Sequence, residues 1–287
     1  MTLQGKVVIV TGAGRGIGEA TARAFALEDA RLVVASRTRS ELEQVAASIR
    51  ADGGEVRVVP TDMSLQEDVE RLVRAALRAF GQVDVLVNCA GVYGPIGLAW
   101  EVDAAEWVRA MNVNLCGTFF ACRAVVPHMV QRRKGKVINF SGGGATAPLP
   151  RFSCYGVSKA AVVRLTETLA EELKEYNIQI NAIAPGAVNT RLQDEVLAAG
   201  ERAGDLFERI RRLRESGEGG VSPQLAADLA IFLASEESDG LTGKLVAAPY
   251  DDWRSWDSDR IRELAALPWL TLRRMDPFTL RQFVDNR

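Results

Sequence analysis

The chain has 287 residues, of which 47% are hydrophobic, and carries a formal net charge of −2 with a pI of about 5.7. This composition is typical of a globular protein with a sizeable core, and the near-neutral charge gives no indication of a nucleic-acid partner. No apolar run reaches the ~18 residues of a membrane span, and the first predicted strand begins too early for a signal peptide, so we expect no membrane partner.

Strands and helices alternate along the chain. Short runs rich in β-branched residues predict strands at residues 7–10, 31–35, 56–59, 83–87, 136–140, 179–183 and 244–246. Helical segments separate them, and this order predicts an α/β fold: a doubly wound parallel sheet of about seven strands with helices on both faces. We expect one domain over residues 1–247 and an ordered extension over residues 248–287.

Two of the intervening helices carry start signals. Ser40 precedes Glu43 by three positions and Ser64 precedes Glu67 by three, which is the spacing of a capping box. Glycines predict that the first helix ends near residues 53–54 and the second at Gly81. In the second helix an apolar stripe at helical spacing predicts a core-facing surface.

The turn after the first strand is rich in glycine. Residues 11–18 read TGAGRGIG, with Gly12, Gly16 and Gly18 between the strand and a helix predicted over residues 19–26. Strand, glycine turn and helix form the geometry that places a phosphate on a helix N-terminus. The alternative is a tight turn that holds no ligand.

The end of the second strand predicts the choice of cofactor. NAD-specific sites place an acid about 20 residues past the glycine turn, but this strand ends at Ser36-Arg37 and no acid precedes Glu41. Arg37 is suited to a ribose 2′-phosphate, and Arg15 could contribute. We therefore expect NADP(H) to be preferred, with NAD(H) possible. The alternative is that Arg37 and Arg39 are loop residues in contact with solvent.

Tyr155 and Lys159 lie four positions apart, on one face of a predicted helix. A lysine ammonium lowers the pKa of a nearby phenol, which would allow proton exchange with a substrate oxygen near neutral pH. Taken alone, the pair also fits an ordinary solvated helix face. The four cysteines show no CxxC spacing and His128 is the only histidine, so we expect no metal site, no Ser-His-Asp triad, reduced thiols and a cytoplasmic location.

Together these segments resemble the single-domain branch of the short-chain dehydrogenase/reductase family, over roughly residues 5–246. The glycine turn resembles the family's cofactor turn, and residues 88–91, Asn-Cys-Ala-Gly, resemble its Asn-x-Ala-Gly motif. Residues 112–117 resemble the helix with its catalytic asparagine. Ser141, then Tyr155 and Lys159, then Pro185-Gly186 complete the order.

The resemblance implies a Rossmann-type NAD(P)-dependent oxidoreductase that interconverts a carbonyl and a secondary alcohol. Tyr155 would be the general acid or base, and Lys159 would hold the nicotinamide ribose and lower the pKa of Tyr155. Ser141 would bind the substrate oxygen, and Asn114 a relay water. Asp62 would contact adenine, unless it is only a turn residue. The cofactor contacts so implied are Gly12, Arg15, Gly16, Ile17, Gly18, Ser36, Arg37, Asp62, Met63, Asn88, Ala90, Gly91, Tyr155, Lys159, Pro185, Gly186, Val188 and Thr190.

The serine departs from the family pattern. Ser141 lies 14 residues before Tyr155, whereas the family more often shows 13, and the residue at 13 here is Gly142. A one-residue insertion in the glycine-rich loop would restore Ser141 to its place. Thr146 and Ser153 are the other hydroxyl candidates.

The substrate stays open at this point. The loop 143–152, the segment after Gly91 and the stretch 187–221 should line a partly apolar pocket for a small carbonyl or alcohol. Ketones, sugars, polyols, steroids and acyl thioesters all fit that description. Two other functions remain: an epimerase or dehydratase on the same fold, and a catalytically impaired cofactor-binding scaffold or sensor.

The sequence also indicates self-association and an unusual C-terminus. Helices over residues 114–130 and 155–175 are apolar on wide arcs, and in the family their outer faces form a dimer interface, so we expect a homodimer or homotetramer. The extension is rich in aromatics and predicts a helix over residues 259–267 capped by Ser258, with a second starting at Asp276-Pro277. It would lie near the substrate pocket of its own or a neighbouring subunit, or cover an apolar patch elsewhere.

Overall fold

A single parallel sheet forms the centre of the molecule. The computed structural model describes residues 3–216 and 220–274. The strand order is β3-β2-β1-β4-β5-β6-β7, with every neighbouring pair parallel, which confirms the predicted fold class. The strands are β1 Val7–Thr11, β2 Arg31–Ser36, β3 Val56–Pro60, β4 Val85–Asn88, β5 Gly135–Phe140, β6 Ile178–Ala184 and β7 Leu245–Ala247, each at a predicted position.

Helices cover both faces of the sheet. They are α1 Gly16–Leu27, α2 Arg39–Ala51, α3 Gln66–Phe80, α4 Ala104–Met111, α5 Gly117–Arg132, α6 Ser153–Leu173, α7 Arg191–Ala199, α8 Asp205–Glu215, α9 Pro223–Ala234 and α10 Ser258–Ala266. Successive side chains of a strand point to opposite faces. In β1, Val8 and Val10 therefore join the core under α1, α2 and α9, whereas Ile9 joins the core under α3, α5 and α6.

The strand order determines where a crevice opens at the edge of the sheet, between β1 and β4. The chain runs from β1 outward through β2 to β3 and then returns to β4 on the other side of β1. At such a switch point the connections leave in opposite directions and open a crevice beyond the carboxyl ends of the strands. Both the glycine turn and the segment after β4 begin at this crevice.

Two helix starts differ from the predicted capping boxes. The N-cap residue of α2 is Thr38 and that of α3 is Leu65, and neither side chain caps its helix. The predicted capping boxes at Ser40 and Ser64 are therefore wrong. The Ser64 hydroxyl instead donates to the Asp62 carboxylate at 2.7 Å, which forms the loop before the helix. The predicted end of α3 at Gly81 is confirmed by the left-handed φ of +76° at that residue.

One helical stretch is longer and more apolar than the sequence indicated. α4, a π-helical turn and α5 form a continuous run, Ala104–Arg132, whose best window has a mean hydropathy of 1.3 and satisfies the length and composition of a membrane span. Length and composition alone are weak indications, because core helices meet the same criteria. Here the run packs on α3, α6 and the sheet, and Arg132 pairs with the buried Asp84 at 2.6 Å.

The described part of the extension packs on its own subunit. The Trp253 ring lies 5.7 Å from that of Phe232 in α9, and the backbone N–H of Leu245 in the edge strand β7 donates to the Leu270 carbonyl at 2.7 Å. The helix predicted in the extension is present, but Asp257 caps it rather than Ser258. Its described residues thus cover α9 and the sheet edge. The second predicted helix lies outside the described residues.

Candidate active site

Glycines bring three backbone segments together at the crevice. Gly12 adopts a φ of +68°, and a Cβ there would lie 2.8 Å from the backbone of Ala90. A Cβ on Gly18 would overlap the carbonyl oxygen of Gly12. The turn can therefore press α1 against the ends of β1 and β4 only because both positions lack side chains. The N-terminus of α1 consequently faces the crevice, as phosphate binding requires.

A cleft of about 200 Å³ follows this turn. It runs from the end of β2, past the glycine turn, to the segment after β4, and α7 forms its outer wall. Most of the predicted cofactor contacts line it, namely Gly12, Arg15, Gly16, Ile17, Gly18, Ser36, Arg37, Asp62, Met63, Ala90, Gly91 and Thr190.

Besides Tyr155 and Lys159, four predicted contacts do not line the cleft. The Asn88 side chain points toward α5 and donates to Asn139 at 2.9 Å, so it links β4 to β5 inside the core. Pro185 lies outside the lining, and so does Gly186, where a Cβ would lie 2.9 Å from Pro249. Val188 forms a bridge with Val221. These residues support the walls of the cleft and do not face into it.

The end of the cleft near β2 combines one hydroxyl with several charges. The Ser36 hydroxyl is buried and has no hydrogen-bond partner among the described residues. Arg37 beside it is exposed and forms no hydrogen bond or ion pair in the described part of the chain. Glu41 also lines the cleft and pairs with Arg15 at 3.2 Å and with Arg191 at 3.9 Å. A glycine cradle beside an unsatisfied hydroxyl fits a dinucleotide.

The sequence did not single out Glu41, Arg191 or Glu195 as cleft residues, although all three line it. Arg191 and Glu195 lie on α7, within the stretch 187–221 that was assigned to the substrate pocket. Their separation by four positions was the available signal, because it places both on one face of a helix.

Tyr155 and Lys159 lie one turn apart on α6, at the inner end of the cleft. The Lys159 ammonium is 5.7 Å from the centre of the Tyr155 ring and donates to the Phe140 carbonyl at 2.8 Å. A Cβ on Gly91 would lie 3.3 Å from the same nitrogen. The pair therefore adjoins the cleft where the segment after β4 passes.

Burial dominates the electrostatics of this pair. It raises the pKa of Tyr155, with a smaller contribution from Tyr93. Burial also lowers the pKa of Lys159 from 10.5 to about 8. Desolvation disfavours the charged form of each group and sets the direction of both pKa shifts; the lowering of the Tyr155 pKa by Lys159 stays a prediction.

Asn114 is fully buried within the π-helical turn Asn112–Cys116. The side-chain oxygen Oδ1 of Asn114 accepts from the backbone N–H of Val92 at 2.9 Å. The side-chain nitrogen Nδ2 donates to the Val92 carbonyl and to the Ser158 hydroxyl, both also at 2.9 Å. Asn114 therefore fixes the segment after β4 to α6. π-helical turns recur at functional sites because they redirect a side chain.

The Ser141 hydroxyl forms a hydrogen bond with the backbone of α6. It is buried and donates to the Lys159 backbone carbonyl at 3.4 Å. Gly142 faces the tyrosine instead: a Cβ there would overlap the Tyr155 hydroxyl and lie 3.0 Å from Cζ. The proposed insertion therefore does not place the Ser141 hydroxyl beside Tyr155 in this structure.

The far side of Tyr155 is apolar and aromatic. Its ring packs edge-on against Tyr93 at 4.7 Å, and Tyr93 packs edge-on against Phe152 at 5.2 Å. Side chains of α7 and α8 complete this cluster, which includes Val196, Leu197, Leu206, Phe207 and Ile210. The cluster lies in the region that the sequence predicted for the substrate.

Comparisons with known proteins agree with this geometry. The short chain dehydrogenase family matches residues 6–200. The short-chain reductase protein NovJ of Streptomyces niveus is 37% identical, over 85% of this chain and 92% of its own length. The 3beta-hydroxysteroid dehydrogenase 1 of Eggerthella lenta is 38% identical, over 84% of this chain and 91% of its own length. The chain belongs to the short-chain dehydrogenase/reductase family.

Solved structures of short-chain dehydrogenases show the same fold. Levodione reductase superimposes with a TM-score of 0.79 at 29% identity, covering 88% of this chain and all of that one. NAD⁺-bound xylitol dehydrogenase superimposes with a TM-score of 0.80 at 29% identity, covering 86% of this chain and 98% of that one. Members of the family are oxidoreductases that use NAD(P)(H), so this chain is an oxidoreductase of the same family.

Proposed function

We propose that this protein is an NADP-preferring oxidoreductase that interconverts the carbonyl group of a hydrophobic ketone and the corresponding secondary alcohol. One observation carries the proposal: the half-buried Tyr155 and the buried Lys159 adjoin, at Gly91, a cleft lined by the glycine turn. A nicotinamide cofactor, when bound, supplies or accepts the hydride. The protein must then bind the carbonyl and move one proton.

Tyr155 is the proton donor in this proposal. Its raised pKa keeps the hydroxyl protonated at neutral pH, so the group is ready to protonate the oxygen of a ketone. In the reverse direction the Tyr155 hydroxyl first releases its proton to solvent, and its oxygen then takes the proton of the alcohol. Lys159 would hold ribose hydroxyls through its ammonium, and Asn114 would fix the Val92 segment and hold a relay water.

The preference for NADP(H) rests on Arg37. This exposed guanidinium lines the cleft next to Ser36 and has no ion-pair partner among the described residues. A 2′-phosphate would provide one. Glu41 favours the second candidate, NAD(H), because a carboxylate at this end of the cleft could accept from a 2′-hydroxyl.

The apolar cluster around Tyr93 and Phe152 supports a hydrophobic substrate class. Pockets built from aromatic and aliphatic side chains favour apolar ligands, with a few polar groups that fix their orientation. A hydroxysteroid dehydrogenase is among the relatives, which agrees with a hydrophobic substrate. We further propose that the protein is cytoplasmic and assembles as a homodimer or homotetramer.

The first experiment measures NADPH and NADH oxidation across a panel of cyclic, aromatic and short-chain ketones. Tyr155→Phe should reduce turnover to below a few per cent while the cofactor Kd stays within about threefold, because only the hydroxyl is lost. Tyr176→Phe, a partly exposed tyrosine beyond the end of α6, is the matched control. Cofactor binding without turnover in the wild type would favour a scaffold or sensor instead.

A second experiment tests cofactor choice. Arg37→Asp should shift binding from NADP toward NAD by about 10- to 100-fold, since a charge-assisted pair contributes roughly 1.5–3 kcal/mol. Arg39→Asp, which removes an exposed arginine that pairs with Glu43, is the control. An unchanged ratio of the two affinities in Arg37→Asp would show that Arg37 does not contact the phosphate.

A further inference from the structure

The catalytic tyrosine lacks the hydroxyl partner that the family pattern places 13 residues before it. Gly142 occupies that position and has no side chain. The Ser141 hydroxyl is buried against the Lys159 carbonyl at 3.4 Å. This arrangement leaves the second hydrogen-bond donor for the substrate oxygen to be supplied by another residue that faces Tyr155.

The other nearby hydroxyls are engaged or remote. Ser153 accepts from the indole N–H of Trp107 at 3.2 Å. Ser158 donates to the Tyr155 carbonyl at 2.8 Å and accepts from Asn114. The side chain of Thr146 lies in an exposed part of the loop.

Tyr93 remains, and its ring is held in contact with the catalytic one. It packs edge-on against Tyr155 at 4.7 Å and against Phe152 at 5.2 Å. The residue before it, Val92, is fixed at both backbone groups by Asn114. Tyr93 is therefore rigidly placed, and its hydroxyl forms no hydrogen bond within the described part of the chain.

Tyr93 interacts electrostatically with the catalytic tyrosine and with a residue of the cleft. Tyr93 raises the pKa of Tyr155, and Glu195, which lines the cleft on α7, raises the pKa of Tyr93. Burial is the larger cause and brings the pKa of Tyr93 to about 12. The Tyr93 hydroxyl consequently stays a donor throughout the pH range of an ordinary assay.

We infer that the Tyr93 hydroxyl donates the second hydrogen bond to the substrate carbonyl oxygen, the role that the family gives to a serine. This inference rests on the proposed function. Tyr93 transfers no proton: Tyr155 supplies the proton to the oxygen and the cofactor supplies the hydride to the carbon. The hydrogen bond strengthens as negative charge develops on that oxygen, so it lowers the barrier more than it tightens substrate binding.

Tyr93→Phe tests the inference because it keeps both ring contacts and removes only the hydroxyl. We expect kcat to fall about 10- to 100-fold, toward the loss seen when one oxyanion donor is removed. KM and the cofactor Kd should change by less than about threefold, and Tm should be retained. Ser141→Ala is measured in parallel, with Tyr176→Phe as the control for loss of a tyrosine hydroxyl elsewhere.

The outcomes separate this inference from the proposed function. A wild type that turns over no ketone would overturn both. An active wild type with Tyr93→Phe within twofold of its kcat would overturn only the role of Tyr93. The role of Tyr93 would also be overturned if Ser141→Ala lost activity and Tyr93→Phe did not. It would be overturned as well if Tyr93→Phe only raised KM or lowered Tm.

Discussion

Restoring a serine at position 142 should damage the active site. Gly142→Ser gives the chain the 13-residue spacing to Tyr155 that its relatives more often have, so sequence reasoning alone expects a gain or no change. The structure gives the opposite expectation. A Cβ at position 142 would overlap the Tyr155 hydroxyl and lie 3.0 Å from Cζ and 3.3 Å from Cε1.

The size of the effect follows from these contacts. An ordinary carbon–oxygen contact requires about 1 Å more room, and the Tyr155 ring is confined by Tyr93 on its other side. A misplacement of about 1 Å can cost roughly 10²-fold in rate. We therefore expect kcat/KM to fall about 100-fold, and overpacking to reduce the free energy of unfolding by about 1–3 kcal/mol.

Two further variants make the test specific. Gly142→Ala adds the same Cβ without a hydroxyl and should lose as much activity as Gly142→Ser. Gly143→Ser is the matched control, because a Cβ at this exposed neighbour meets no atom within 4 Å. Activity would be measured as NADPH oxidation with the best ketone of the panel. An active Gly142→Ser enzyme, with kcat/KM at or above the wild-type value, would refute the steric argument and revive a serine as the donor at this position.

Three other predictions concern stability and assembly. Lys159→Met should abolish turnover yet stabilise the protein by up to about 3 kcal/mol near pH 7 in urea denaturation, because the folded pKa of about 8 lies below 10.5. The unfolded chain holds the Lys159 proton more tightly than the folded chain does. The loss of folding free energy caused by Lys159 is therefore full below pH 8 and disappears toward pH 10.5. A stability difference between wild type and Lys159→Met that does not change with pH would contradict this prediction. Trp253→Ala should cost about 3–5 kcal/mol, because its side chain is 5% exposed, whereas Tyr250→Ala, at 78% exposed, should cost under about 0.5 kcal/mol. Phe119 and Val157, exposed at 43% and 51% on α5 and α6, are expected at the subunit interface, so glutamate at both positions should yield monomers in sedimentation velocity; a wild type that is itself monomeric at all concentrations would exclude the interface.

Local patterns in the sequence were enough to predict the parallel sheet and its covering helices. The strands are short runs of apolar, often β-branched residues, and helices separate them along the chain, so the parallel order follows from the alternation. The glycine turn and the Tyr155–Lys159 pair depend on spacing within one turn or one helix, which the chain encodes directly. Where cap choice depends on the exact backbone path, as at Asp257, the local pattern failed by a single residue.

Only the tertiary structure decided what faces the Tyr155 hydroxyl. Ser141 and Gly142 are neighbours in a loop, and which of them meets Tyr155 depends on how that loop leaves β5 against α6. Tyr93 is separated from Tyr155 by 62 positions in the sequence and reaches it because Asn114 fixes the intervening segment to α6. The direction of the shift in the pKa of Tyr155 likewise depends on burial, which is a property of the whole fold.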